Sequence, residues 1–341
     1  MSPTRVGLLS VAHYHGHFWA EAFRESPQAD FVGIWDDDPA RGQEAAARHG
    51  VRFWPDLEGL LGACEAVGIT SETVQHAPLV EAAARHGRHV LCEKPLAATP
   101  EDCVRIARAG AGSGIVFMQS FPKRLDPVNH ELRRLVSSGE LGRLALVRVR
   151  HGHFHGLDPA FRQAWYVDPT RGGGGALLDE GVHAADFLRW LLGEPESVTA
   201  TLSGTALGLP GEDTAVAVFR FPGGVLGEIA TGVVFVAGDN SVELYGTGGM
   251  AVLSGVDLAS RDLTEGAFLK TYRVGEPRRW TVSPIVPVFK TGKLHHQNPL
   301  QFLDALRRGT PPPVTLEDGR RAVEMILAAY RAAETGRSCP V

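Results

Sequence analysis

Cysteine is scarce in these 341 residues: Cys64, Cys92, Cys103 and Cys339 stand apart, with no Cys-x-x-Cys pair. Scattered thiols of this kind exclude a disulfide-stapled secreted scaffold and fit the reducing cytoplasm. Long apolar runs are missing too. No stretch reaches the roughly 18 apolar residues that would span a bilayer, so no membrane partner is expected. The opening MSPTRVGLLSVAHYH enters a strand-like run that histidines end, without the apolar core of a signal peptide. Basic residues are not in excess: 34 Lys and Arg against 39 Asp and Glu leave a formal charge of -5. That balance gives no footprint for nucleic acid. No internal repeat is visible, and the 40 glycines and 22 prolines are dispersed as turn markers.

What is present is the composition of an ordinary globular chain, 44% apolar and 21% charged. At about 100–200 residues per domain, the length suggests two. The first third alternates strand and helix. Strands are expected at Arg5–Ser10, Phe31–Trp35, Ala66–Thr70, Arg88–Cys92 and Ile115–Gln119, and helices at Gly16–Arg24, Pro39–His49, Asp56–Cys64 and Pro78–His86. Thr99-Pro100-Glu101-Asp102 opens a further helix with a threonine cap and acids at the positive dipole end. Such alternation builds a parallel sheet covered on both faces, the plan of a dinucleotide-binding domain.

After residue 122 the pattern changes. A helix is expected at Pro127–Ser138, a long strand at Leu144–Phe154 and a helix at Ala176–Leu192. Strands follow from Ser197 to Leu253, with turns at Pro222-Gly223-Gly224, Gly238-Asp239-Asn240 and Gly248-Gly249. Short turns between consecutive strands mean antiparallel pairing. Helices at Pro299–Arg308 and Leu316–Thr335 close the chain. The fold class is thus α/β: an N-terminal Rossmann domain, 1–122, and a C-terminal α+β domain, 123–341, on a large, mostly antiparallel open sheet. An open sheet with one bare face calls for cover by another subunit, so a homodimer or homotetramer is expected.

Four segments carry chemistry. Ser10-Val11-Ala12-His13-Tyr14-His15-Gly16 occupies the loop where a dinucleotide fold places G-x-G-x-x-G, with Ser10, Ala12 and His15 in the glycine slots. It reads equally as a plain strand–helix turn, although a helix N-terminus offers N–H groups to phosphate whatever its side chains. Asp36, at the end of the second strand, is placed to accept from adenosine ribose hydroxyls and to favour NAD over NADP, or is a turn aspartate before Pro39. Lys94, in Cys92-Glu93-Lys94-Pro95, stands where ligands of open α/β sheets bind, and also reads as an exposed loop lysine. In Gly172-Gly173-Gly174-Gly175-Ala176-Leu177-Leu178-Asp179-Glu180-Gly181-Val182-His183-Ala184-Ala185-Asp186, the spacing of Asp179 and His183 puts both on one helical face. A carboxylate beside an imidazole suits a proton-transferring histidine, and suits a structural pair as well.

Together these residues resemble the glucose–fructose oxidoreductase / inositol dehydrogenase / MocA family. The resemblance runs from Val6-Gly7 through Trp35-Asp36 and His89–Ala97 to Gly173–Asp186 and Pro311–Tyr330. It implies a Rossmann domain and an open-sheet domain with nicotinamide and substrate in the cleft between them. It implies that Lys94 contacts the substrate hydroxyl and cofactor ribose, that Asp179 and His183 do acid–base work, and that Glu93 lies near the nicotinamide ribose. His76 matches a position lining the cofactor cleft, where Ser71-Glu72-Thr73 departs from the family's Thr-Pro-Asn. The loop places Ser10, Ala12, His13 and His15 at the cofactor. The resemblance sets Trp165-Tyr166-Val167-Asp168-Pro169 over the substrate.

The expected activity is NAD(H)-dependent hydride transfer at a CH–OH carbon of a sugar, cyclitol or related polyol, NADP being the less favoured cofactor. Arg124, His153, His155, Trp165, Tyr166 and Asp168 are candidate substrate contacts. His151, His153 and His155 alternate along the long strand and would form a row, read as substrate contacts, a solvated row or a metal site; no metal is assigned. Two other readings stand beside the dehydrogenase. One is an enzyme with internally recycled NAD, such as an epimerase or redox-assisted glycosidase; the other is a non-catalytic dinucleotide or sugar sensor.

Overall fold

The computed structural model describes residues 2–111, 114–236, 240–255, 268–274 and 279–341. Gly238 and Asp239 of the expected turn lie outside them. The chain divides into two compact units, Met1–Pro122 with Lys293–Arg320, and Lys123–Gly292 with Arg321–Val341. This amends the expected division into 1–122 and 123–341, because the segment from Lys293 to Arg320 returns to the first unit.

The first unit carries a five-stranded sheet of β1 (Thr4–Leu9), β2 (Ala29–Trp35), β3 (Ala66–Ile69), β4 (His89–Cys92) and β5 (Phe117–Gln119), in the order β2-β1-β3-β4-β5. All neighbours are parallel. Phe53 bridges Ile34 in parallel, a remnant strand outside β2. With it, the order is that of a dinucleotide-binding sheet, whose switch point falls between β1 and β3. Val6, Leu8 and Leu9 of β1 are fully buried, as a strand covered on both faces requires. The helices are α1 (His15–Glu25), α2 (Pro39–His49), α3 (Leu57–Ala63), α4 (His76–Arg85) and α5 (Pro100–Ala111). The Asp38 side chain accepts from Ala40 N and Arg41 N to start α2, and Gly50 at φ 66 ends it. α4 begins two residues before Pro78, entered through a short 3-10 turn at Thr73–Gln75.

The second unit contains α6 (Pro127–Ser137), β6 (Leu144–Gly152), α7 (Pro169–Gly172), α8 (Ala176–Asp179), α9 (Gly181–Leu192) and strands β7 (Ser197–Ser203), β8 (Thr214–Arg220), β9 (Leu226–Gly232), β10 (Val242–Gly246), β11 (Gly249–Leu253), β12 (Leu269–Arg273) and β13 (Thr281–Val282). The chain ends with α10 (Gln297–Arg308), α11 (Leu316–Thr335) and β14 (Cys339–Pro340). The nine-stranded sheet runs β13-β12-β11-β10-β6-β9-β8-β7-β14. Its pairs are antiparallel except β6 with β9. α9 lies on β6 and β9, over the face that buries Val147, Val149 and His151. Arg148 and Arg150 point to the opposite, exposed face.

Two expectations are corrected here. β6 stops at Gly152 instead of Phe154, so His153 lies beyond the strand and His155 starts a 3-10 turn. The expected helix Ala176–Leu192 is broken at Glu180 into α8 and α9. Glycine at 181 is a poor interior helix residue, costing about 1 kcal/mol relative to alanine. The break also lets Glu180 turn toward β6.

In the returning segment, α10 packs on α1 and β4. Asn298 Nδ2 donates to Ser120 Oγ at 3.0 Å, fixing the segment beside the end of β5.

Candidate active site

The loop after β1 meets two of the three glycine roles by other means. Ser10 takes the left-handed conformation, φ 66, that the first glycine would supply. Its hydroxyl donates to Asp36 Oδ2 at 3.2 Å and accepts from Ala12 N at 3.2 Å, holding the turn. Gly16, one residue late, serves close helix–strand packing: a Cβ there would stand 2.6 Å from Thr70 Oγ1.

Asp36 is more committed than its sequence position suggests. Its carboxylate accepts from Val11 N at 2.8 Å, Asp38 N at 2.9 Å and Ser10 Oγ, while Arg41 Nε and Nη2 reach it at 3.0 and 2.5 Å. Burial would raise its pKa, but the Arg41 hydrogen bonds and the two N–H donors outweigh that and hold it below the usual carboxylate range. A ribose hydroxyl reaches this carboxylate only if Arg41 yields.

Around β4, the expected cofactor residues gather. Glu93 is fully buried and accepts from Lys94 N at 3.0 Å and Ser120 Oγ at 3.3 Å, with His15 Nδ1 at 3.2 Å. Burial pushes the Glu93 carboxyl up, against the pull of Lys94. Lys94 is also buried, and its peptide bond to Pro95 is cis. The His15 ring packs on His295, centroids 3.7 Å apart. His13 is held well below the ordinary imidazole range by burial, then by the charges of His15 and Lys94. His76 is a strut: Nδ1 lies 2.9 Å from Pro95 O, and Nε2 3.3 Å from Ser71 O. It ties the loop carrying Lys94 to the segment after β3. Ser71 Oγ donates to Glu72 O at 3.1 Å.

In the second unit, the hub is a residue that sequence reasoning passed over. Glu180 Oε2 lies 3.2 Å from His151 Nε2, and its Oε1 3.1 Å from His153 Nε2. Asp179 ends α8 while His183 sits in the first turn of α9, so the expected single helical face becomes two short helices. Asp179 groups with Glu180 and His153, their ligand-type atoms within 4.8 Å of one another. His183 sits beside His151, ring centroids 4.9 Å apart. Burial pulls His151 down to about 4, helped by the charge of Lys123. Lys123 itself is lowered by burial to about 8, against Asp126 and Glu180.

The expected substrate contacts divide. Trp165 stacks on Tyr166 at 4.0 Å, Tyr166 on Phe161 at 5.5 Å, and Phe161 adjoins His155, which packs on His153 at 3.8 Å. Four expected residues thus join one run of rings through Phe161, which the sequence reading missed. A cleft beside it is walled by Phe161, Tyr166, Gly175, Asp179, Glu212 and Val233. Arg124 is placed otherwise: its Nε and Nη2 grip Asp186 at 2.9 and 2.6 Å, with both side chains buried. The expectation of a substrate contact gives way here to a buried ion pair. Asp168 caps α7, accepting from Thr170 N at 2.9 Å and Thr170 Oγ1 at 2.7 Å. The glycine run serves packing, since a Cβ on Gly175 would stand 2.4 Å from Glu212 O.

Among the described residues, two histidine–carboxylate clusters have ligand-type atoms within 4.8 Å of one another, His13/His15/Glu93 and His153/Asp179/Glu180. In each, a backbone N–H already occupies one ring nitrogen: His15 N donates to His13 Nδ1 and His155 N to His153 Nδ1, both at 3.1 Å. A neutral ring so fixed carries its proton on Nε2, making that atom a donor rather than a metal ligand. His153 is therefore a hydrogen-bond donor to Glu180, and His13 offers no ligand nitrogen in the other cluster. The first unit does fit a dinucleotide. Tyr14 at the N-cap makes no side-chain cap bond and the first turn of α1 holds no acid, so no negative charge competes with a phosphate there, while the neutral His13 ring takes the His15 N–H.

A parallel sheet of this order, with a helix N-terminus after β1 and a charged β4 end, defines a dinucleotide-binding protein. Residues 6–121 match the model of the oxidoreductase family with NAD-binding Rossmann fold, and residues 129–252 that of the GFO/IDH/MocA C-terminal domain. Inositol 2-dehydrogenase 2 of Saccharopolyspora erythraea is 32% identical over 322 residues, 92% of this chain and 88% of that one. The 1,5-anhydro-D-fructose reductase of Ensifer adhaerens is 27% identical, covering 99% of this chain and 98% of its own. Among solved structures, GenD2 from gentamicin A biosynthesis in complex with NAD aligns with a TM-score of 0.84 at 26% identity, over 100% of this chain and 97% of that one. The chain belongs to the Gfo/Idh/MocA family of NAD-binding oxidoreductases.

Proposed function

We propose that the protein transfers a hydride between NAD(H) and a CH–OH carbon of a sugar, cyclitol or related polyol. The observation that carries this reading is the wall of hydrogen-bonding groups in the second unit, where Glu180 gathers His151 and His153 beside Asp179. Neutral imidazoles and carboxylates in one wall suit a ligand rich in hydroxyls. Relatives named for inositol, anhydrofructose and levoglucosan support the same class.

Bound NAD would supply the hydride acceptor. The protein contributes position, charge and proton handling. The first unit would hold the dinucleotide at α1, with Ser10 and Gly16 shaping the loop and Glu93 near the ribose. In the oxidative direction His183 accepts the hydroxyl proton. Lys94 favours the developing alkoxide by its charge. Asp179 holds a neighbouring hydroxyl. His153, His155 and Tyr166 contribute further polar contacts, and Trp165 supports the ring run.

The test is a turnover screen of inositols, anhydro-sugars and aldoses with NAD and NADP, following free NADH. Stoichiometric NADH with a ketone or lactone product supports the dehydrogenase reading. Conversion of sugar without net NADH would instead support internal recycling of NAD. We further propose that the exposed face of the nine-stranded sheet, bearing Val216, Arg148 and Arg150, pairs with a second copy. Light scattering that finds only monomer would exclude this.

A further inference from the structure

We infer that Glu180, His151 and His183 form a carboxylate–imidazole–imidazole triad, in which His151 positions His183 for its acid–base role. The inference rests on the proposed function, which makes His183 the group that takes the substrate proton.

His153 must carry its proton on Nε2, because its Nδ1 accepts the His155 N–H. That proton faces Glu180 Oε1 at 3.1 Å. His151 Nε2 faces the other oxygen at 3.2 Å. The His153 N–H on Oε1 and the neighbouring Lys123 ammonium both favour the ionised carboxylate, which then accepts at Oε2. It therefore fixes His151 as the Nε2–H tautomer and leaves the lone pair on Nδ1.

The lone pair has no partner among the described residues. His151 Nδ1 is buried and unbonded, and so is Thr231 Oγ1. Thr231 is the register partner of His151 across β6 and β9, so the two atoms belong to neighbouring side chains on the face under α9. Buried polar atoms are rarely left unsatisfied. The ring beside them is His183, centroid 4.9 Å from His151 and tilted by 59°. A small ring rotation, or one water held by His151, Thr231 and His183, brings a His183 N–H onto the His151 lone pair. Burial holds His151 neutral to about 4, so the lone pair persists at any working pH near neutrality.

The consequence is the logic of a serine-protease triad applied to a second imidazole. His151 orients His183 and stabilises the imidazolium it forms, without itself taking the proton. Asp179, the carboxylate that sequence spacing assigned to that role, then takes the substrate-holding role proposed above.

The decisive measurement is the pH dependence of kcat/KM for the wild type, His151→Gln and Glu180→Gln, with NAD affinity and melting temperature recorded for each. Loss of the acceptor removes support for the His183 imidazolium, so its pKa falls and the acid limb moves to lower pH. We expect that shift in both variants, with kcat reduced about 10–100-fold and NAD affinity unchanged. A purely structural role would lower stability without moving the limb. Nitrogen-15 NMR of the intact protein gives a readout independent of folding losses: His151 should show a protonated Nε2 and a bare Nδ1. Unmoved acid limbs in both folded variants, or His151 protonated at Nδ1, overturn the triad. His183→Asn separates the two levels. If it turns over normally, the underlying reading fails; if it is inactive while the limbs stay put, only the triad fails.

Discussion

Ser10 Oγ stands 3.2 Å from Asp36 Oδ2, joining the loop after β1 to the end of β2. A serine at φ 66 bears strain that a glycine would not. The hydroxyl offsets it by holding Asp36 and Ala12 N together and by accepting from Arg41 Nη2 at 3.3 Å.

This separates two substitutions that look alike. Ser10→Ala keeps the strain and loses the bonds, and should destabilise by about 2 kcal/mol. Ser10→Gly loses the bonds but relieves the strain, and should fall within about 1 kcal/mol of wild type. Urea unfolding of the three proteins decides it. Equal losses would mean that the hydroxyl alone matters.

Lys94→Ala should lower kcat by about 100-fold or more while leaving NAD affinity nearly unchanged, because a preorganised cation acts on charge developed in the transition state. Fluorescence titration of NADH together with steady-state rates checks both halves. Loss of NAD binding instead would assign Lys94 to the cofactor.

Arg124 and Asp186 make a test of stability rather than turnover. Breaking a buried, bidentate pair leaves an uncompensated charge, so Arg124→Met should cost about 3–5 kcal/mol. The double variant Arg124→Met/Asp186→Leu should recover much of that. A folded, stable Arg124→Met enzyme with only a raised KM would restore the substrate-contact role.

Acid stability follows from His151 and His49, both held to about 4, His151 mainly by burial and His49 by burial and then His17. Their folded pKa values lie below the unfolded value near 6.5, so the unfolded chain binds protons first as pH falls. Stability is full above about 6.5, declines between about 6.5 and 4, and levels off below that for these groups. His151 accounts for about 3 kcal/mol. Denaturation midpoints across this range should fall accordingly, and His151→Gln should flatten the slope. A slope unchanged by the substitution would remove His151 from the account.

The strands of the first unit were legible because each is a short apolar run closed by a turn residue, a local signal. Asp38, Pro39 and Gly50 bound α2 where the capping rules put them. Other features depend on distant neighbours. Nothing local says that Arg41 covers Asp36, that His153 ends its strand to meet Glu180, or that Arg124 finds Asp186. Glu180 hid beside Asp179 because regular helix spacing favoured the Asp179–His183 pair, and the break at Glu180 puts those two on separate helices. The helix of the returning segment was legible, but nothing in its own residues says that it returns to the first unit.

That segment makes the nucleotide unit discontinuous in sequence. A fragment ending at 122 would leave the faces of α1 and β4 that receive α10 bare, and Ser120 without Asn298. Cloning the N-terminal third as an independent NAD-binding module should therefore yield a sticky, poorly soluble product. Grafting residues 293–320 onto its end through a short linker should rescue it.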